Sequence, residues 1–219
     1  MKIEVNNITL NYITEGQGNP LILLHGNGED SGIFNELTEK LKENYTIYAI
    51  DSRNHGGSTK TEDFTYETMA EDVYQFTEKL ELKNVSVIGF SDGAILSLLL
   101  AIDHDNLFHK MVLLGVNLKP TDFKTDIYNY LVDEYENTKD PLIKMMLEQP
   151  NIELEQLKDI HTPTLLIAGE DDIYKEESFD DIVKIMPNAR LQIMKGHDHG
   201  SYIINKDILY PYLENFLKE

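Results

Sequence analysis

The chain alternates between two patterns of apolar residues. In the first pattern, apolar residues form short runs of the length of a buried strand; in the second, they recur every three or four positions, as on one face of a helix. The strand-like runs fall at residues 3–5, 8–13, 20–24, 45–51, 84–90, 110–116, 164–168 and 191–194. The helix-like stretches fall at residues 31–43, 66–80, 91–102, 175–186 and 203–217. Strands that alternate with helices predict an α/β fold, a mostly parallel sheet with helices on both faces.

Two segments depart from this alternation. The runs at residues 3–5 and 8–13 are joined through Asn6 and Asn7, which predicts an N-terminal antiparallel hairpin. Residues 117–162 are helical and amphipathic, and we expect them to form a short inserted cap over one edge of the sheet. Because no linker or repeat divides the rest, residues 1–219 are predicted to form a single domain. The last helical stretch contains Pro211, which requires a kink or a new helix start there.

Composition excludes several classes of protein. The sequence contains no cysteine, so a disulfide scaffold, a cysteine nucleophile and a thiolate metal site are excluded. The 39 acidic residues against 19 basic ones give a formal net charge of −20, which repels nucleic acids and anionic membrane surfaces. No secretory signal pattern and no apolar run of bilayer length is present, so we expect a cytoplasmic protein. The sequence does not indicate an oligomeric state.

The turn between the strand run at residues 84–90 and the next helix carries the most specific chemical signal. Residues 89–93 read GFSDG, which is the G-x-S-x-G pattern in its strand, turn and helix setting. Small residues on either side let strand and helix approach closely, and the turn points Ser91 Oγ out of the sheet. The free N–H groups at the helix start face any negative charge that develops beside it. Ser91 is therefore the candidate nucleophile.

Other polar turns follow neighbouring strands. The sequence HGNG at residues 25–28 exposes backbone N–H groups, and the N–H of Asn27 is a candidate oxyanion donor. The glycine-rich connection at residues 51–58 is predicted to be a surface loop in which His55 has no evident partner. Because ligands bind at the carboxyl ends of parallel strands, we expect these turns to lie near Ser91.

A serine nucleophile needs a base to take its proton and an acid to orient that base. Residues 169–172 read GEDD after a strand, and the Gly-x-x-Asp spacing favours Asp172 as the acid. Residues 196–199 read GHDH after the last strand, so the residues alone leave both His197 and His199 as candidate bases. The spacing of the two histidines would also suit a metal, but no further ligand cluster is evident and no metal site is predicted.

Together these motifs resemble the α/β-hydrolase superfamily, in which the triad follows in the order serine, acid, histidine. The resemblance covers essentially the whole chain and includes the His-Gly turn, the Asp-x-Arg loop, the serine elbow and the acid turn. In that family a Pro-Asn-Ala run precedes the final strand, as at residues 187–189, and a Gly-x-x-His turn carries the catalytic histidine, as at residues 196–199. The resemblance therefore favours His199 over His197.

The resemblance implies a carboxylesterase-like serine hydrolase that cleaves a small or medium ester through an acyl-enzyme. Ser91 would attack the carbonyl, His199 would act as general base, and Asp172 would orient the imidazole. The N–H groups of Asn27 and Asp92 would stabilise the oxyanion. No cofactor is implied, and the expected partner is a small-molecule ester. The superfamily also contains iminopeptidases, C–C bond hydrolases and non-catalytic binding members, and the fold does not select among them.

Asp92, directly after the candidate nucleophile, has two interpretations. Its place in Ser-Asp-Gly, together with residues 108–112, resembles the valacyclovirase-like amino-acid ester hydrolases, and in that case its carboxylate would bind a substrate ammonium. Alternatively, the acid only complements the dipole at a helix N-terminus, which is favourable by about 0.3–1 kcal/mol. The side chain must face the pocket for the first interpretation to hold.

Overall fold

The computed structural model describes residues 1–104 and 106–219, and within them eight strands form one sheet. In chain order the strands are β1 (Lys2–Val5), β2 (Ile8–Gly16), β3 (Asn19–Leu24), β4 (Tyr45–Ile50), β5 (Val85–Phe90), β6 (Phe108–Leu114), β7 (Thr164–Asp171) and β8 (Ala189–Asp198). Across the sheet they lie in the order β1-β2-β4-β3-β5-β6-β7-β8. β2 pairs antiparallel with both β1 and β4, and the remaining pairs are parallel. The predicted mostly parallel sheet with an N-terminal hairpin is confirmed.

Helices cover the sheet on both faces. They are α1 (Asn35–Leu41), α2 (Tyr66–Lys79), α3 (Asp92–Asp103), α4 (Thr125–Thr138), α5 (Pro141–Glu148), α6 (Glu176–Ile185) and α7 (Tyr210–Lys218). One hydrophobic cluster joins one face of the strands to α2, α3 and α6, and a second joins the other face to α1 and α7. Alternate residues of β5 enter the two clusters, Val87 the first and Ile88 the second. β5 is therefore buried on both faces, and this packing fixes the position of the turn that follows its carboxyl end.

Two predicted helices differ from the structure. The stretch at residues 31–43 begins with a short 3-10 helix, Ser31–Phe34, and continues as α1. The terminal helix begins at Tyr210 rather than at residue 203. Pro211 occupies its first turn, where the missing N–H has no helical partner to lose. The new helix start is thus confirmed. Tyr202 and Ile203 are buried in the turns before it, which accounts for the apolar pattern there.

The segment at residues 117–162 lies between β6 and β7 and contains α4, α5 and short 3-10 helices at Pro120–Asp122 and Leu154–Asp159. No residue of α4 is buried, and Met145 is the buried residue of α5. The helices expected in this segment are present, and they are more exposed than those beside the sheet. The role of this segment as a cap stays a prediction. Among the described residues, no helix has both the length and the apolar character needed to cross a bilayer.

Candidate active site

A strained turn joins β5 to α3. Ser91 has φ 52° and ψ −112°, a conformation that residues with side chains seldom adopt. The glycines on either side make this turn possible, because a Cβ on Gly89 would lie 2.3 Å from the carbonyl oxygen of Gly93. A Cβ on Gly93 would in turn lie 2.1 Å from the carbonyl oxygen of Leu24. The sequence GFSDG therefore forms the sharp elbow that its pattern predicts.

The structure brings together three of the predicted side chains. His199 Nε2 lies 3.0 Å from Ser91 Oγ, and His199 Nδ1 lies 2.8 Å from Asp172 Oδ1. The Asp172 carboxylate is buried and also accepts the backbone N–H groups of Gly169 and Tyr174. Since a carboxylate can only accept, the partners assign the proton to Nδ1 and leave Nε2 free to accept from the serine hydroxyl. This arrangement lets a base take the serine proton while an acid holds that base in the correct tautomer.

The alternative residues lie elsewhere. His197 Nδ1 is 3.1 Å from Ser201 Oγ, and the residue is half-buried in its own turn. Asp171 is exposed at the end of β7, where it pairs in register with Asp198. Among the residues of these two turns, Asp172 and His199 are the pair that the structure connects to Ser91.

Gly115 is a requirement of this site that the sequence pattern did not reveal. It was predicted to lie inside a strand, but β6 ends at Leu114 and Gly115 has φ 55°. A Cβ there would lie 2.6 Å from two ring atoms of His199. The absence of a side chain at this position therefore leaves room for the imidazole.

The turn at residues 25–28 is tied to the start of α3. The Gly93 N–H donates to the His25 carbonyl oxygen at 3.1 Å, and Asn27 Nδ2 donates to Asp92 Oδ2 at 3.0 Å. Within the part of the chain that the structure describes, the backbone N–H groups of Asn27 and Asp92 have no hydrogen-bond partner. Two free donors therefore belong to segments held against each other beside Ser91, as a pair of oxyanion donors requires.

A cavity of about 700 Å³ adjoins Ser91 and His199. Its apolar lining comes largely from the helices of residues 117–162 and from nearby turns, and includes Tyr130, Leu131, Ile143, Met146, Ile173 and Ile204. Three acidic residues also line it, Glu29, Glu134 and Asp198. No lysine or arginine of the described residues lines this cavity. The lining is therefore apolar with an excess of negative charge.

Comparisons with known proteins identify the family and agree with the fold. The family model described as the alpha/beta hydrolase fold matches residues 19–138. The serine hydrolase BPHL of Homo sapiens is 30% identical to this chain, over 99% of this chain and 86% of its own length. The chain belongs to the α/β-hydrolase family. A putative esterase/lipase of Haemophilus influenzae is 24% identical over 91% of this chain and 83% of its own length.

Solved structures of other enzymes share the fold of this chain. An esterase from Exiguobacterium antarcticum superposes with a TM-score of 0.86 at 19% identity, covering 100% of this chain and 99% of its own. The enol-lactonase from Burkholderia xenovorans LB400 superposes with a TM-score of 0.84 at 17% identity, over the full length of both chains. At such identities the likeness concerns the fold, and the chemistry must be argued from the site.

Asp92 of the hydrolase does not line the cavity. Its carboxylate is buried, accepts the Tyr66 hydroxyl at 2.7 Å through Oδ1, and accepts the Asn27 side chain through Oδ2. Burial raises the pKa of Asp92, while the Tyr66 and Asn27 hydrogen bonds partly offset that effect. The predicted contact with a substrate ammonium needs a cavity-facing side chain, and the observed geometry directs the Asp92 carboxylate to Tyr66 and Asn27 instead.

The connection at residues 51–58 is largely buried, so its prediction as a surface loop was wrong. His55 is buried, and its Nε2 accepts the Gly28 N–H at 3.0 Å. Reciprocally, His25 Nε2 accepts the Ser52 N–H at 3.0 Å. Burial lowers the pKa of His25 to about 4, which keeps its ring neutral and able to accept. His55 thus binds the backbone of the turn at residues 25–28, and His25 binds the backbone of the connection at residues 51–58. These two hydrogen bonds fix the turn at residues 25–28.

A buried ion pair anchors the same connection to α2. Arg53 Nε and Nη2 each donate to the Asp72 carboxylate at 2.6 Å, and both side chains are almost fully buried. We expect Arg53→Met to lower the free energy of unfolding by about 3–5 kcal/mol, because it leaves a buried carboxylate without its counter-ion. Urea denaturation followed by circular dichroism measures this loss. Lys184→Met, in the exposed Lys184–Asp181 pair, is the control and should change stability by less than about 0.5 kcal/mol. Equal effects of the two substitutions would contradict a structural role for the buried pair.

Proposed function

We propose that this hydrolase cleaves a small or medium carboxylic ester through an acyl-enzyme, with Ser91 as nucleophile, His199 as base and Asp172 as orienting acid. The observation that carries the proposal is the continuous hydrogen-bonded chain from Ser91 Oγ through the imidazole to Asp172, with distances of 3.0 and 2.8 Å. A serine hydroxyl is a poor nucleophile by itself, and such a chain is the arrangement that activates it. An intact chain of this kind also favours turnover over the alternative of a non-catalytic binding protein.

In the proposed first step, Ser91 Oγ attacks the ester carbonyl and its proton passes to His199 Nε2. The imidazolium is stabilised by Asp172, and the carbonyl oxygen, now negative, accepts the N–H groups of Asn27 and Asp92. Collapse of the tetrahedral intermediate breaks the bond to the alcohol, which leaves with the proton from His199. Water then repeats the sequence on the acyl-enzyme and releases the carboxylic acid. The scheme uses no cofactor.

The cavity lining supports the choice of substrate class. In this proposal the helices of residues 117–162 act as a cap, and their apolar side chains pack against a short acyl or alcohol group. A substrate carboxylate would instead meet Glu29, Glu134 and Asp198 with no cation of the described lining to pair with. Like charges brought into a partly desolvated cavity repel each other. The proposed substrates are therefore uncharged esters rather than acid esters.

A second candidate substrate class is an ester that carries an ammonium group. The observation that favours it is the same excess of carboxylates in the cavity. In this version the contact would come from the cavity-facing acids rather than from Asp92, whose oxygens are already engaged. Both candidates share the same bond cleavage and differ in the charge of the acyl group.

Three methyl esters of similar length separate these possibilities: methyl butanoate, methyl 4-aminobutanoate and monomethyl succinate. We expect kcat/KM for monomethyl succinate to be at least tenfold below that for methyl butanoate, since even one like-charge contact of about 1.4 kcal/mol gives that factor. NMR measures all three rates by following formation of the carboxylate product, which excludes the spontaneous cyclisation of the amino ester to its lactam. Glu134→Gln should reduce the difference in kcat/KM between methyl butanoate and monomethyl succinate, and added salt should reduce this difference further. A succinate ester cleaved as well as the neutral ester would contradict the proposed charge selection, and a faster amino ester would favour the second candidate.

A further inference from the structure

Glu29 closes the turn at residues 25–28 from inside the cavity. Its Oε2 accepts the Gly26 N–H at 3.0 Å, and its own N–H lies 3.4 Å from the Gly26 carbonyl oxygen. Within the described part of the chain, no hydrogen-bond partner is present for Oε1. The Glu29 side chain is partly buried and lines the same cavity as Ser91 and His199. A carboxyl group that faces the reacting atoms therefore holds the backbone of this turn.

Gly26 lies close to both Glu29 and the candidate nucleophile Ser91. A Cβ placed on Gly26 would lie 2.9 Å from Glu29 Oε2 and 3.2 Å from Ser91 Cβ, so the Gly26 backbone lies close to both side chains. The next residue, Asn27, carries one of the two proposed oxyanion donors. A small movement of Gly26 would therefore change the distance between Ser91 and that donor. Such movements are costly in catalysis, because the donor must meet the oxyanion where it forms.

Burial, together with the neighbouring charges, places the pKa of Glu29 near neutral pH. Burial, the largest cause, raises the pKa of Glu29 to about 7, the Gly26 N–H and His199 lower it, and Asp92 and Asp30 raise it. Glu134 of α4 and Asp198 of β8 face the same cavity. In the physiological range, Glu29 is thus divided between a neutral carboxyl and a carboxylate. The carboxylate is the better acceptor, because hydrogen bonds to an ionised group are roughly twice as strong as neutral ones.

We propose that Glu29 is a positioning residue of the ester hydrolysis, and that the active enzyme requires Glu29 to be ionised while His199 is neutral. This inference rests on the proposed function. Ionised Glu29 holds the Gly26 N–H, and through it the Asn27 donor, against Ser91. Its negative charge also attracts the imidazolium that forms at His199 when the serine gives up its proton. Protonation of Glu29 weakens both effects at once.

The pH dependence of kcat/KM for methyl butanoate tests this requirement, because that profile reports the ionisations of the free enzyme. If two groups must lose protons, the acidic limb of the wild-type profile should approach a slope of about 2 in log kcat/KM per pH unit. In Glu29→Gln the amide oxygen can still accept the Gly26 N–H but no longer titrates. The limb should then approach a slope of about 1, with kcat/KM at pH 8 about fivefold below wild type.

The matched control is Glu134→Gln, which removes another cavity carboxyl that does not bond the turn. We expect this variant to keep the steep limb, whatever its absolute rate. The range from pH 5 to 9 stays above the region near pH 4 in which His25 titrates, and circular dichroism checks the fold at each pH. A slope of 1 in the wild type, or the same slope in wild type and Glu29→Gln, would overturn the inference.

A second measurement does not depend on turnover. The backbone amide ¹⁵N signal of Gly26 should titrate with an apparent pKa near 7 in the wild type and in Glu134→Gln, and this step should be lost in Glu29→Gln. A Gly26 signal that does not titrate near neutral pH, or a step that survives Glu29→Gln, would overturn the inference even if ester hydrolysis is established. Conversely, if the Gly26 step depends on Glu29 but no ester is cleaved, the proposed function fails while Glu29 is still shown to hold the turn.

Discussion

Ser91→Ala should lower kcat/KM for ester hydrolysis by on the order of 10⁴–10⁶-fold. The substitution removes the atom that forms the acyl bond, and neither His199 nor Asp172 can replace it. The remaining activity would come from a water molecule activated by the imidazole and from the oxyanion donors. The elbow itself should persist, because the close contacts that shape it involve Gly89 and Gly93 rather than the serine side chain.

Ser97→Ala is the matched control for this loss. Ser97 lies in α3, the helix that follows Ser91, is fully buried, and donates its hydroxyl to the Gly93 carbonyl oxygen at 2.8 Å. Removing it deletes a buried hydroxyl near the elbow without touching the proposed chemistry, so we expect less than a tenfold change in kcat/KM. Steady-state rates with methyl butanoate measure both variants. Comparable losses in the two variants would mean that Ser91 acts through the fold rather than as nucleophile.

His199→Ala should cause a loss of similar size, on the order of 10⁴-fold or more, because the base and nucleophile act as one unit. Without the imidazole, the proton of Ser91 has no acceptor at 3.0 Å and the leaving alcohol has no donor. His197→Ala should have little effect, since the Nδ1 of that ring contacts Ser201 Oγ and the structure gives the ring no hydrogen bond to Ser91 or Asp172. The two histidines are two residues apart in one turn, which makes this pair of variants a strict comparison. Loss of activity in His197→Ala with retention in His199→Ala would show that the base is assigned to the wrong histidine.

The parts of the fold and site that are predictable from the sequence depend on local signals. Strand-length apolar runs place β5 and its neighbours, and small residues around Ser91 specify the elbow whatever the rest of the chain does. Asp172 follows a strand in the same way, and its spacing from Gly169 is visible along the chain. For His199, the residues alone left two candidates, and the choice depended on a family resemblance that the Ser91 contact now supports.

The features that escaped prediction depend on contacts between distant parts of the chain. Tyr66 lies in α2, so nothing near Asp92 in the sequence shows that its carboxylate is already engaged. The loop containing His55 is polar and glycine-rich, as surface loops are, yet inside the protein His55 bonds the Gly28 N–H and Arg53 pairs with Asp72. A buried polar group is stable once it has partners, and periodicity cannot supply those partners.

Glu29 escaped for a related reason. In the sequence it is one of 39 acidic residues, most of which serve as solvated charges. Glu29 differs from the other acids because it is partly buried beside Gly26 and lines a cavity formed with residues 117–162, which are remote in the chain. A role for this acid in catalysis can be inferred only when the turn at residues 25–28 is known to lie against Ser91.

Covalent labelling by a fluorophosphonate tests the central claim most directly, because such a reagent reacts with an activated serine and not with an ordinary hydroxyl. Intact-protein mass spectrometry and peptide mapping would follow the wild type, Ser91→Ala and His199→Ala. The account predicts one phosphonyl group per wild-type chain on the peptide that contains Ser91, no labelling of Ser91→Ala, and much slower labelling of His199→Ala. An unlabelled wild type, or full labelling of Ser91→Ala, would contradict the assignment of Ser91 as the nucleophile.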